Sequence, residues 1–113
     1  MKLLNKEITR RLIENFESKT ADHRPVVRLF CGAACTWLLS ELNKDTNIAF
    51  GLCDFGHGQV ELGYVSIDEL QELRFPKLKG MFADGVVRQD VFFVADKTLV
   101  EYAKDAADSE MMG

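Results

Sequence analysis

Three cysteines and a histidine fall into two pairs, Cys31-x-x-x-Cys35 and Cys53-x-x-x-His57. Four soft donors would suit a tetrahedral zinc site. The spacing argues the other way, because structural zinc knuckles favour tighter pairs whose amides also bond the sulfurs, and a reduced Cys is an ordinary small core residue. The chemistry expected of Cys31, Cys35 and Cys53 is therefore that of core thiols, and no metal or cofactor is called for. A second constellation is Glu41, Asp54 and Glu61. Simple hairpin pairing of the strands that carry them brings the three carboxylates to one face near one end, where they could hold Mg2+ or divide acid and base roles between them. Carboxylates on strands more often keep an open face or an edge soluble. Lys6, Arg10 and Arg11 cluster near the N-terminus and could bind phosphate, although a solvated helix face accounts for them as well. Trp37, the only tryptophan, is a core residue or, if exposed, an interface anchor. Gly63 lies inside a strand pattern, which predicts a bulge or a close backbone approach. Asp90 belongs to a short charged segment within the most apolar run of the chain.

No HExxH, GxSxG, P-loop or GxGxxG pattern occurs, so the familiar hydrolase and nucleotide signatures are missing. The chain has 113 residues, is 47% hydrophobic and carries a net charge of −4. Those values predict one globular domain over 1–113 with a frayed tail at 108–113, and they do not describe a basic nucleic-acid binder. Charge is unevenly spread. Residues 47–73 hold Asp54, Glu61, Asp68, Glu69 and Glu72 and no Lys or Arg. A basic-surfaced partner would face such a stretch. No segment is apolar enough for a signal peptide or a membrane span, and three cysteines are an odd number, so a cytoplasmic protein with reduced thiols is expected.

The elements that must position these residues follow from periodicity and capping. Asn5 caps a first helix with Ile8, Leu12 and Phe16 as its buried stripe. Strands are predicted at Val26–Cys31, Thr36–Leu42, Ile48–Asp54 and Gln59–Val65, the last two joined by a turn at Gly56-His57 that pairs Leu52 with Glu61 and Asp54 with Gln59. Asn43 to Asn47 is a turn by composition. Ser66-Ile67-Asp68-Glu69 is a capping box for a second helix, which Pro76 ends; Val65 and Leu70 are spaced for a hydrophobic staple. Met81-Phe82 is expected to pin a loop. A fifth strand is predicted over Val86–Val94, and Asp96 or Thr98 caps a last helix with Leu99, Tyr102, Ala103 and Ala106 buried. The whole is an α+β fold, a mainly antiparallel sheet of about five strands with three helices in the order αββββαβα.

Several segments together resemble a known family. MKLLNKEI before the first helix, Thr36-Trp37 with Ser40-Glu41, the run Phe50-Gly51-Leu52-Cys53-Asp54, the run Glu61-Leu62-Gly63-Tyr64-Val65-Ser66 with Glu69-Leu70, and Gln89-Asp90-Val91-Phe92-Phe93 are similar to the domain of unknown function 2958 (DUF2958) family. The chain departs from that pattern at Arg88-Gln89-Asp90, where an acidic-basic-acidic run is expected, and in its three cysteines. Members are small bacterial proteins often encoded on plasmids, integrative elements and phages. The resemblance implies a cytosolic accessory protein of mobile DNA and brings no activity. The function expected is non-enzymatic binding of a host or element-encoded protein through Trp37, Glu41, Asp54, Glu61, Gly63 and Asp90, one form of it being inhibition of a host defence or nucleic-acid-processing system. The alternatives are a small metal-dependent hydrolase or nuclease using the acidic cluster, and a weak nucleic-acid binder using Lys6, Arg10 and Arg11.

Overall fold

A computed structural model describes residues 3–18, 20, 22–32, 35–55, 60–74 and 85–112, with side chains through Asp108. The elements are α1 (Lys6–Glu17), β1 (Val27–Cys31), β2 (Cys35–Asn43), β3 (Ile48–Asp54), β4 (Val60–Ser66), α2 (Ile67–Glu72), β5 (Arg88–Gln89) and α3 (Leu99–Met112). Their order is the expected αββββαβα. The five strands form one antiparallel sheet in the order β4-β3-β2-β1-β5. The loop residues Met81 and Phe82, the turn at Gly56-His57, and Pro76 lie outside the described residues.

Local chemistry writes the ends of the helices. The Asn5 side chain accepts the Ile8 amide at 2.8 Å, and the Ser66 hydroxyl accepts the Glu69 amide at 3.2 Å. Thr98 and Glu101 cap α3 reciprocally: the Thr98 amide donates to the Glu101 carboxylate at 2.9 Å, and the Glu101 amide donates to the Thr98 hydroxyl at 3.4 Å. In the β2–β3 turn Asn47 takes the left-handed φ of 57° that asparagine tolerates, and its amide closes on the Asn43 carbonyl. Its side chain then donates to Asp68 at 2.9 Å, tying that turn to the start of α2.

The two faces of the sheet are covered unequally. On the inner face Leu4, Ile8 and Leu12 of the N-terminal segment and Ile67 and Leu70 of α2 pack on Val27, Leu29, Trp37, Leu39, Leu42 and Ala49. On the outer face α3 lays Leu99 over Leu38 and Leu52, with Phe50, Val60, Phe93, Tyr102 and Ala103 around them. Leu12 is fully buried, so Leu12→Ala costs about 2–5 kcal/mol.

β2 carries a bulge between Leu39 and Glu41. Ser40 is the extra residue, buried at 1% exposure. Its carbonyl is met from α1 by the Asn15 side-chain amide at 2.9 Å. Opposite the bulge stands Gly51, where an added Cβ would lie 2.1 Å from the Leu38 carbonyl oxygen. Only glycine fits that approach.

Five expectations are corrected by the structure. Phe16 is half exposed rather than buried, and Ile13 packs on the core instead; at 3.6 residues per turn an i, i+8 pair diverges by roughly 80° around the axis. The fifth strand is two residues long, because the Asp90 side chain accepts the Phe92 amide and the Asp90 carbonyl accepts the Phe93 amide, turning the chain. Helix α3 continues to Met112 through the segment expected to fray; Ala, Lys, Glu and Met are favourable helix formers. The register of β3 on β4 is displaced by one residue, pairing Leu52 with Leu62, Cys53 with Glu61 and Asp54 with Val60. This sets Phe50 beside Tyr64, ring centroids 5.1 Å apart. Gly63, finally, meets no close backbone, since an added Cβ has nothing within 4 Å.

The two glycines predict opposite responses. Gly51→Ala should lower the urea midpoint by the equivalent of about 2–4 kcal/mol, since backbone rather than a movable side chain must give way. Gly63→Ala should change it by under about 0.5 kcal/mol. Equal losses at both positions would refute the close approach at Gly51.

Candidate functional site: the open half of the outer face

Alternation along the paired strands places Ile48, Phe50, Leu52 and Asp54 on the outer face with Glu41 and Asn43 of β2 and Val60, Leu62 and Tyr64 of β4. Helix α3 covers the half around Leu38 and Leu52. The other half is open. There Phe16, Glu41, Asn43, Ile48, Phe50 and Tyr64 line a concavity of about 390 Å³. Tyr64 is 76% exposed, and Leu62 and Phe16 are also exposed. Aromatic rings around a single carboxylate, on rigid strands, make a surface that offers apolar area and one negative charge.

The three carboxylates of the sequence reading do not converge. Glu41 and Asp54 share the outer face but stand four strand positions apart by the pairing of Glu41 with Phe50, roughly 13 Å. Glu61, paired with Cys53, points to the inner face. The one-residue register shift causes this separation, since side chains alternate with period two. Among the described residues no three His, Cys, Asp or Glu side chains are placed to hold a metal ion.

Trp37 is core, 2% exposed, with its ring edge-to-face on Phe55 at 6.2 Å. Gly63 sits between Leu62 and Tyr64 on the edge strand, with open space where its side chain would be. Asp90 is at the opposite edge of the sheet, where its carboxylate pairs with Arg28 at 3.1 Å and its amide donates to the Arg28 carbonyl at 2.9 Å. The Arg28 guanidinium also stacks over Phe30. That residue therefore holds a turn, away from the open half.

Of the basic cluster, Arg10 is engaged by Glu7 and Glu14 on its own helix. Hydrogen bonds to these two carboxylates raise its already high pKa, and its contact with Arg10 lowers that of Glu7. Lys6 and Arg10 line a wider, shallow groove of about 860 Å³ between α1 and Gln89, with Glu14 and Glu17 beside them. Basic and acidic side chains thus line that groove together.

Cys31 pairs with Cys35 across β1 and β2, and Cys53 lies on the same inner face. All three are buried, none is in a disulfide, and His57 lies outside the described residues. Burial raises the Cys35 and Cys53 thiols above the ordinary 9.0; Cys31 adds to the effect at Cys35, and Glu61 at Cys53. These are poor nucleophiles at neutral pH.

Sequence patterning put Tyr64 on an apolar strand face without marking it as exposed. Val91, Phe92 and Val94, which the sequence places in the fifth strand, stand in solvent at 72%, 90% and 87% exposure. The Asx-type residue Asp90 before them was the available signal of a turn.

A raised thiol pKa means that the folded state holds protons the unfolded chain has lost. The associated stability is complete below pH 9 and is lost as pH rises through the folded values. In urea titrations the wild-type midpoint should therefore fall above pH 9 more steeply than that of Cys53→Ala. Identical slopes would show that Cys53 ionises equally in both states.

No helix among the described residues is long and apolar enough to cross a membrane. Neither the curated proteins nor the solved structures contain a match to this chain. One family model does match, described as Protein of unknown function (DUF2958), over residues 3–112. With nearly its whole length matched, the chain belongs to the DUF2958 family.

Proposed function

We propose that this chain is a non-enzymatic binding protein that engages a basic-surfaced protein through the open half of its outer sheet face. The observation that supports this most is Tyr64, 76% exposed on a paired strand beside Phe50. An aromatic held rigidly in water at a sheet surface costs solvation and contributes nothing to the core, whereas in an interface it becomes a low-entropy anchor. Glu41 on the same surface sets the sign of the partner. The setting we propose is the bacterial cytoplasm, where a plasmid, integrative element or phage supplies the chain as an accessory protein and the partner is encoded by host or element. Inhibition of a host defence or nucleic-acid-processing system through an acidic, nucleic-acid-like surface is one form of this reading.

The test is capture from host lysate at low salt with wild type, Tyr64→Ala and Glu41→Gln side by side. Tyr64→Ala should weaken retention about tenfold or more while leaving the urea midpoint in place, and Glu41→Gln should flatten the salt dependence. A stably folded chain that retains nothing at low salt, or a Tyr64→Ala variant that retains as much as wild type, would sink the proposal.

A further inference from the structure

The open outer face ends at β4, an edge strand that no other strand pairs on its outer side among the described residues. Natural edges are blunted by lysine, proline, bulges or shortness. This one, Val60–Ser66, is seven residues long, pairs with β3 without a register break, and contains neither Lys nor Pro; its one guard is the inward-pointing charge of Glu61, which a basic side chain would neutralise. Hydrogen-bonded and non-bonded pairs alternate along an antiparallel ladder. The Ile67 amide donates to the Asn47 carbonyl at 3.1 Å. Counting back by twos through the pairs Val65–Ala49, Gly63–Gly51 and Glu61–Cys53 assigns those residues' backbone groups to β3. The N–H and C=O groups of Leu62 and Tyr64 therefore point outward, from the residues whose side chains are exposed on the outer face.

We propose, resting on the binding reading above, that the partner docks as an extended segment that adds antiparallel or parallel to β4 and alternates apolar with Lys or Arg residues. Its backbone pairs with the outward groups of Leu62 and Tyr64. Its apolar side chains continue the outer-face strip of Leu62, Tyr64 and Phe50, and its basic side chains fall on the inner side next to exposed Glu61. The vacancy at Gly63, where a Cβ would meet nothing within 4 Å, leaves room there for the long stem of a Lys or Arg. Charge selects this occupant over a second copy of the chain. Residues 47–73 hold five acidic groups and no basic one, so two copies joined edge to edge would bring like charges together.

The probe is a peptide of about eight residues alternating Lys and Val, with its Glu–Val counterpart as control, titrated into isotopically labelled protein. The expected result is protection of the Leu62 and Tyr64 amides from exchange by the Lys–Val peptide and binding at least about tenfold weaker by the Glu–Val peptide. Leu62→Pro removes an outward amide while sparing the β3 ladder; Leu62→Ala removes only the side chain. Leu62→Pro should bind about tenfold more weakly than Leu62→Ala. If the two variants bind alike, or if the peptide shifts outer-face resonances while these amides exchange as before, strand addition is overturned and face binding still stands. Should Leu62→Pro fail to fold, amide protection in the wild type decides alone. No binding of the Lys–Val peptide overturns the proposal, as does a concentration-dependent dimer whose Leu62 and Tyr64 amides are already protected, which would assign the edge to a second copy.

Discussion

The bulge in β2 is the constraint on which the rest of the sheet depends. By inserting Ser40 between Leu39 and Glu41, it buries one extra residue. A buried carbonyl without a donor costs about 1–3 kcal/mol, and Asn15 of α1 supplies the donor. Helix position and strand irregularity are thus a single arrangement. The bulge also brings the β2 backbone against Gly51, which is why the middle strand carries glycine there. Beyond the bulge the alternation resumes with Glu41 on the outer face beside Phe50. Without the insertion Glu41 would face the core.

That geometry divides the molecule into a side that folds and a side that is left over. The inner face is closed by α1 and α2 and contains the thiols, Trp37 and most aliphatic residues. α3 reaches only part of the outer face. What stays open is aromatic, with Glu41 at its rim, and continuous with the β4 edge strand. Asp90 holds Arg28 and a turn, and Arg10 is shared between two glutamates.

Much of the fold was legible because its signals are local. Asn5, Ser66 and Thr98 cap helices through their own side chains within three residues, and β3 alternates cleanly between two environments. Register was not legible. Placing the turn at Gly56-His57 fixed Leu52 opposite Glu61, and a shift of one residue then transferred Glu61 to the other face and dissolved the carboxylate cluster. The apolar run after Asp90 was misread for a related reason, since composition alone cannot distinguish a buried strand from residues stranded in solvent by a turn.

The identity and order of the elements, the cap residues, the acidic character of residues 47–73 and the family are readable from the residues alone. All of these reside in contacts a few residues apart or in composition, which require no knowledge of distant neighbours. Packing of the whole chain sets which strand neighbours lie opposite each other, where the bulge falls, how little of the outer face α3 covers, and that Tyr64 rather than Trp37 is presented to solvent. Those outcomes depend on competition among whole surfaces for burial, and a single slip along a strand exchanges the two faces.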